Sequence, residues 1–194
     1  MVKVRFFLAL ILGIFLLVFF IYLILPAPSI PPLPDSLKST EPGDTVQVPR
    51  VSAYYTDLQR VEVADFYKRY FSKSSFLGLP LPVITLNHPP EYARQVIRDQ
   101  ILSSYLEEYV HPLRDSLYVN GWEPDVYFKD NSGARDQFQN LVGETKYFSK
   151  VTLRPFYSSL LARILTFFVV LGLFYIFYLL LKKIVTSCWR LDDR

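Results

Sequence analysis

FFLALILGIFLLVFFIYLIL, residues 6–25, is a run of twenty residues without a single charge. At 1.5 Å per residue, a helix of this length crosses the roughly 30 Å hydrocarbon core of a bilayer. A secretory signal peptide is the alternative interpretation. Its apolar core is only about 7–15 residues long, however, and a small-residue cleavage site follows it. Because the run is longer and ends at Pro26, we expect residues 1–25 to be a retained N-terminal transmembrane anchor.

A second apolar run, ILTFFVVLGLFYIFYLLL, covers residues 164–181 and is closed by Lys182 and Lys183. With the residues before it, the run is long enough for a second membrane span over 158–183. A short tail, 184–194, follows this span. Two spans place both termini of the chain on the same side of the membrane.

Basic residues near the first span indicate which side that is. Lys3 and Arg5 precede the span, whereas the first basic residue after it is Lys38. Basic residues are enriched on the cytoplasmic side of membrane spans. We therefore expect both termini to be cytoplasmic and the central domain to be extracytoplasmic.

The spans carry few groups suited to transport. Apart from tyrosines, neither apolar run contains an ionisable side chain, and a proton relay or ion path is expected to need one. Ala9 and Gly13 form a small-xxx-small pair that would let another helix approach closely. Tyr175 and Tyr178 place phenols in the second span, where a neighbouring helix would offer hydrogen-bond partners. We expect these four residues to mediate helix packing within the membrane, although a plain anchor with interfacial tyrosines remains the alternative.

Charge and cysteine content limit what the central region does. Residues 26–158 contain 14 Lys and Arg against 16 Asp and Glu, so the basic balance of the chain comes from its ends. Nucleic-acid binding, which requires a basic patch on the folded domain, is therefore disfavoured. The one cysteine, Cys188, follows the second span. The domain must be stable without disulfides, and cysteine zinc sites and cysteine nucleophiles are excluded from it.

A proline-rich segment follows the first span. PAPSIPPLP, residues 26–34, has five prolines in nine residues and predicts an extended, stiff spacer. A ligand for a proline-reading domain is the alternative. With the polar residues that follow, the spacer makes 26–44 a linker, and 45–157 the extracytoplasmic domain.

Hydrophobic periodicity within the domain predicts an α+β fold. Strands are expected at 46–55, 81–86 and 146–154, where apolar residues alternate or cluster between turn signals. Helical spacing of apolar residues predicts two main helices, at 57–71 and 89–110. The sequence therefore predicts a small, mostly antiparallel sheet with two helices packed on it, flanked by two transmembrane helices.

Asn120-Gly121 is the sharpest local signal in the domain. Between Leu117-Tyr118-Val119 and Trp122 it predicts a two-residue hairpin turn, because both central positions of such a turn need positive φ. Pro124 lacks a ladder donor and predicts that the second strand lies at an edge. Trp122 beside the turn would be exposed. Asn120, Gly121 and Trp122 are therefore the candidate interaction residues.

Chemistry-bearing residues are sparse. The two histidines, His88 and His111, have no metal-site spacing, and neither a nucleophile elbow nor a phosphate-binding glycine loop occurs. Glu107 and His111 would share one face of the predicted helix, with Asp115 close by. A carboxylate that orients a histidine supports acid–base chemistry, so these three are weak catalytic candidates. We expect no metal and no cofactor.

Three functions fit this layout. The leading hypothesis is a non-catalytic interaction or assembly module, anchored at both ends, whose partners are other membrane or envelope proteins or a second copy. A membrane-tethered enzyme acting on an envelope or lipid-proximal substrate is the first alternative. A ligand sensor that signals through a partner is the second, because the tail after the last span is too short to signal alone.

Overall fold

The computed structural model describes residues 2–73, 75–76 and 79–192. Residues 27–157 form one compact unit, here called the domain, and the terminal segments 1–26 and 158–194 form the other. Two long helices make up the terminal unit, α1 (Val2–Ile24) and α7 (Leu160–Asp192). The strands of the domain are β1 (Ser36–Lys38), β2 (Ser52–Thr56), β3 (Ser75–Phe76), β4 (Leu79–Pro80), β5 (Ile84–His88), β6 (Tyr105–His111), β7 (Asp115–Trp122), β8 (Asn140–Val142), β9 (Thr145–Tyr147) and β10 (Ser149–Tyr157). Its helices are α2 (Pro42–Thr45), α3 (Arg60–Ser72), a 3-10 turn (Pro90–Tyr92), α4 (Ala93–Val96), α5 (Pro124–Tyr127) and α6 (Ser132–Gln137).

Both terminal helices are long and apolar enough to cross a membrane, judged by length and composition. The apolar segment of α1, Phe6–Ile24, has a mean hydropathy of 3.1, and that of α7, Leu160–Ile184, has 2.6. Only 6% of each segment is buried, unlike the core helix of a soluble protein. Two apolar helices flanking one α+β domain are thus confirmed.

The two helices contact each other where α1 ends and α7 begins. The rings of Phe20 and Phe167 lie 5.0 Å apart between centroids, and Phe19 packs on Phe167 at 6.0 Å. The guanidinium of Arg163 is buried there and donates hydrogen bonds to the carbonyl oxygens of Leu23 at 2.8 Å and Leu25 at 3.1 Å. Since the last carbonyls of a helix have no partner within it and carry partial negative charge, the Arg163 cation caps the C-terminus of α1.

The domain is built on a six-stranded antiparallel sheet with the order β1-β2-β10-β7-β6-β5. The strand β10 is nine residues long and its predicted position, 146–154, is confirmed in outline. The two ends of the sheet are named here after the ends of β10, the Ser149 end and the Tyr157 end. Register places Trp122 opposite Lys150 at the Ser149 end and Asp115 opposite Tyr157 at the other.

One face of the sheet, the core face, is covered by α3. The side chains of Val63, Tyr67 and Phe71 recur every four residues, so they share one stripe of the helix, and all three are fully buried. The helix begins with a capping box in which Gln59 and Glu62 satisfy each other's main-chain N–H groups. The helix predicted at 57–71 is confirmed. The sheet residues packed against it are Tyr54, Tyr105, Tyr109, Leu117, Val119, Val151 and Leu153.

The long helix predicted over 89–110 is wrong, so α3 is the only long helix among the described residues of the domain. Residues 90–96 form a 3-10 turn and the single helical turn α4, and 105–111 form the strand β6. The apolar positions of 105–111 fit both a helical and a strand period. Pairing with β5 on one side and β7 on the other decides for the strand, because tertiary pairing overrides weak local propensity.

The hairpin predicted at Asn120-Gly121 is also wrong. Both residues lie inside β7, paired with β6 on one side and β10 on the other. The strand is internal rather than an edge, and Pro124 lies beyond its end as the first residue of α5. The real turn between β6 and β7 contains Leu113, whose φ of 64° is left-handed. Trp122 is not at a tip but is 5% exposed.

The segment predicted as a linker packs on the domain. Leu33 joins the core cluster, and the hydroxyl of Tyr67 donates to the carbonyl oxygen of Pro31 at 3.5 Å. The strand β1 adds to the sheet beside β2, and Asp44 is buried. Residues from Leu33 to Asp44 are therefore part of the folded domain rather than a free spacer.

Candidate interaction groove

An aromatic cluster lies at the Ser149 end of the sheet, where β7 leads into α5. The ring of Trp122 is 5.1 Å from that of Tyr127 and 5.8 Å from that of Phe128, measured between centroids. Its indole N–H donates to the carbonyl oxygen of Phe138 at 3.2 Å, so the polar atom of the side chain is satisfied from within the domain. The ring surfaces that remain are suited to apolar contact.

These three aromatic side chains line a cavity of about 250 Å³. The opposite wall is formed by Pro90 and by the segment just before β6. Glu91 and Arg94, both exposed, lie on the same wall and give the cavity one anionic and one cationic side chain. The cavity therefore combines one aromatic wall with polar and charged groups, as binding sites commonly do, although this one is small.

Two further cavities lie beside the first. One of about 120 Å³ shares Ile101, Leu102 and Trp122 with it. The other, of about 590 Å³, shares Arg98 and Gln100 with the second. The three cavities share wall residues and so lie side by side along residues 98–102; together they are here called the groove.

A buried ion cluster holds the far wall of the groove. The carboxylate of Asp44, 1% exposed, lies 2.8 Å from the ammonium of Lys150 and 3.3 Å from the guanidinium of Arg98. The hydroxyl of Ser39 donates to the same carboxylate at 2.6 Å. Lys150 also lies 2.7 Å from Glu41, so one ammonium ties two carboxylates of the 39–45 region to β10.

The pKa values in this cluster follow from these contacts. The hydrogen bond from Lys150 lowers the pKa of Glu41, although partial burial acts in the opposite direction. Burial acts to lower the pKa of Lys150, but its bonds to Asp44 and Glu41 outweigh burial and raise that pKa. Glu41 and Lys150 therefore both stay ionised at neutral pH. The contact of Arg98 with Asp44 fixes the position of Arg98 at the groove.

Of the weak catalytic candidates, the structure brings His111 and Asp115 together. The Nδ1 atom of His111 lies 2.5 Å from a carboxylate oxygen of Asp115, and the ring stacks on Phe71 at 4.2 Å between centroids. This is a real carboxylate–histidine pair, but His111 is fully buried and lies at the Tyr157 end of the sheet. The pair therefore does not line the groove, and it offers no surface to a substrate in this conformation.

Glu107 is separate from that pair. Its carboxylate accepts two hydrogen bonds from the guanidinium of Arg60, at 2.8 and 2.9 Å, and one from the hydroxyl of Tyr109 at 2.7 Å. Glu107 and His111 do share a face, but that of a strand, where four residues span about 13 Å. The helix predicted from the sequence would have brought Glu107 and His111 within one turn of each other. Because the segment is a strand, the predicted proximity of Glu107 to His111 and Asp115 is wrong.

The candidate interaction residues have mixed positions. Asn120 and Gly121 are buried, and the Asn120 amide donates to the carbonyl oxygen of Leu102 at 3.1 Å, which holds the groove segment on the sheet. Trp122 lines the groove, although its expected exposure is wrong. Sequence reasoning missed Arg94 and Tyr127. The signal available for Tyr127 was its position in a short helix after Pro124, close to a tryptophan.

The candidate helix-packing residues lie away from the contact between α1 and α7. Ala9 and Gly13 are exposed, and a side chain added at Gly13 would meet nothing within 4 Å. Tyr175 and Tyr178 are exposed as well. These faces are open to lipid or to another helix.

Among the described residues, no group of three or more His, Cys, Asp or Glu side chains could hold a metal ion.

No family model matches the chain, and no curated protein or solved structure is similar to it. The function must therefore be inferred from the groove and from the two apolar helices.

Proposed function

We propose that the chain is a membrane-anchored, non-catalytic interaction module. In this proposal α1 and α7 span the bilayer, both termini are cytoplasmic, and the domain binds a partner protein in the extracytoplasmic space. The partner is another membrane or envelope protein. The observation that carries the proposal is the groove, whose apolar wall of Trp122, Tyr127 and Phe128 is suited to an apolar side chain of an inserted segment.

The position of the groove supports this role. It lies at the Ser149 end of the sheet, about 23 Å along β10 from Tyr157, the last residue before the connection to α7. A partner would therefore reach it without contacting the residues that tie the domain to the apolar helices. The first span supports the topology, because Lys3 and Arg5 precede it and Lys38 is the first basic residue after it. The second span is almost neutral in this respect, since four basic residues precede it and four follow it: Lys146, Lys150, Arg154 and Arg163 before, and Lys182, Lys183, Arg190 and Arg194 after.

The tethered-enzyme alternative has less support. The one carboxylate–histidine pair among its candidates, His111 with Asp115, is sealed in the core. A reaction at His111 would require the ring to leave its stack on Phe71.

The test starts with gentle extraction from native membranes and measurement of particle mass and composition. Stoichiometric subunits other than this chain are the expected result. Leu102→Asp should then release them, because a carboxylate would be desolvated at the centre of the groove. Val61→Asp is the matched control, since Val61 is an exposed apolar residue on α3, outside the groove.

A photo-crosslinking residue at position 102 and another at position 61 give a second readout. The proposal expects one stoichiometric partner joined at position 102 and not at 61. It is rejected if the particle is a lone monomer in several mild detergents, or if Leu102→Asp and Val61→Asp leave the same composition.

A further inference from the structure

A row of side chains crosses the sheet near its Tyr157 end, on the face opposite the core. Register pairs Ile84 with Val110, Val110 with Ser116, and Ser116 with Phe156, so four neighbouring strands contribute one residue each. With strands about 4.8 Å apart, the row is about 14 Å long. Ile84 is 49% exposed and Phe156 is 39% exposed. Three of the four side chains are apolar, and none is charged.

The turn between β6 and β7 extends this apolar surface. It lies at the same end of the sheet, because it joins His111 to Asp115, and Asp115 pairs with Tyr157. Its central residue Leu113 has a φ of 64° and a side chain that is 61% exposed. A leucine in the left-handed region is costly, and a side chain that is mostly exposed offsets little of that cost by burial. Residues in such conformations concentrate at functional surfaces.

Both connections to the apolar helices leave the domain at this end. The hydroxyl of Tyr157 donates to the carbonyl oxygen of Pro28 at 3.4 Å, so the last residue of the domain contacts the second one. Only residues 158–159 separate Tyr157 from α7, and residues 25–27 separate α1 from Pro28. At 3.3–3.6 Å per residue, these connections reach about 10–14 Å at full extension. The length of the two connections therefore limits how far the Tyr157 end of the domain lies from the ends of the apolar helices.

Aromatic and basic side chains flank the surface. The guanidinium of Arg154 lies over the ring of Phe156, 4.8 Å from its centroid, and that of Arg50 lies over Tyr157 at 5.7 Å. Aromatic rings and basic groups together are typical of protein at the boundary between lipid headgroups and acyl chains. Basic groups near that boundary also favour anionic lipids.

We infer that Ile84, Leu113 and Phe156, here called the lipid-facing edge, insert into the headgroup–acyl boundary of the membrane that α1 and α7 span. The inference rests on the proposed membrane anchoring. It adds a second attachment of the domain to the bilayer besides its two covalent connections. Such an attachment would orient the domain, with the groove at the opposite end of the sheet.

The experiment uses the full chain in lipid nanodiscs, with Cys188 replaced by serine and one cysteine introduced for an environment-sensitive dye. Leu113→Cys reports on the lipid-facing edge. Val126→Cys is the matched control, an apolar residue 56% exposed at the Ser149 end. Leu173→Cys, in the middle of the apolar segment of α7, reports on membrane insertion itself. The probe is a lipid brominated on its upper acyl chain.

The expected result is strong quenching at Leu173, quenching at Leu113 close to it, and weak quenching at Val126. Ile84→Cys repeats the measurement on a strand, in case the turn itself is altered by the label. If Leu173 is not quenched, the membrane anchoring fails. If Leu173 is quenched but Leu113 and Ile84 match Val126, only the lipid-facing edge is overturned. Protection of both from aqueous iodide without quenching by brominated lipid would also overturn it, since protein would then cover the edge.

Discussion

The ring of Tyr105 occupies the space where a side chain on Gly121 would lie. A Cβ added to Gly121 would come within 2.0 Å of the ring carbon Cε1 and within 2.5 Å of the hydroxyl oxygen. The two residues pair across β6 and β7, and Tyr105 is buried. The glycine is therefore required so that the aromatic ring can lie over the backbone of the neighbouring strand.

We predict that Gly121→Ala destabilises the domain by about 1–3 kcal/mol, the usual cost of overpacking a core. The ring of Tyr105 would have to leave its position, because it cannot rotate within a filled core. Chemical denaturation of the full chain in detergent, followed by near-ultraviolet circular dichroism, measures the change. Gly133→Ala is the control. Apart from the chain neighbours and the backbone of its own helix, the nearest atom to its added Cβ is 3.8 Å away. Because Gly133 lies in α6, this substitution should leave stability unchanged or raise it by up to about 1 kcal/mol. Equal effects of the two substitutions would contradict this account.

The same glycine shows where sequence reasoning fails. Asn120-Gly121 is a strong local turn signal, yet the strand continues because it pairs on both sides. The stretch 105–111 was assigned to a helix for the same reason, since pairing between distant strands leaves no local trace. The two apolar helices, α3 and β10 were predictable, because each depends on periodicity within its own residues. Of the groove, only Trp122 was predictable, since the other walls are brought together by the register of the sheet.

Lys150→Met tests the ion cluster of the groove. The substitution leaves the buried carboxylate of Asp44 with Arg98 and Ser39 only, and we predict a loss of about 1–3 kcal/mol in the free energy of unfolding. Lys146→Met is the matched control. Its partner is Asp125, both side chains are partly exposed, and such pairs contribute about 0–1 kcal/mol. Urea denaturation of the two variants under identical conditions makes the comparison, and a loss at Lys146 as large as that at Lys150 would refute it.

Arg163→Met tests the cap on α1. Hydrogen bonds from a charged donor contribute about 1.5–3 kcal/mol, so we predict that amide exchange in the last turn of α1 accelerates at least about tenfold. Hydrogen–deuterium exchange of the full chain in nanodiscs, read by mass spectrometry over residues 19–25, measures this. Thr166→Val removes a hydroxyl that bonds only within α7, to Ala162, and should leave α1 unchanged. Unchanged exchange in Arg163→Met would show that the aromatic contacts alone hold the helices together.

Glu123 gives the domain a stability that depends on pH. Burial raises the pKa of its carboxyl above 4.5, and the main-chain N–H of Arg60, in the first turn of α3, only partly opposes this. The folded state therefore binds the proton more tightly than the unfolded state. The contribution of Glu123 to stability is full below pH 4.5 and is lost as pH rises through the folded-state pKa.

Glu123→Gln should keep the shape of the side chain without the buried charge. We predict that the variant is more stable than the wild type at pH 7–8 and equal to it near pH 4. Thermal unfolding of both proteins across this pH range tests whether the stability difference changes in the predicted direction. Other carboxylates such as Glu41 contribute equally to both proteins, so they cancel in the difference between the two melting temperatures. A difference in melting temperature that is constant with pH would mean that Glu123 is not buried as a titrating acid.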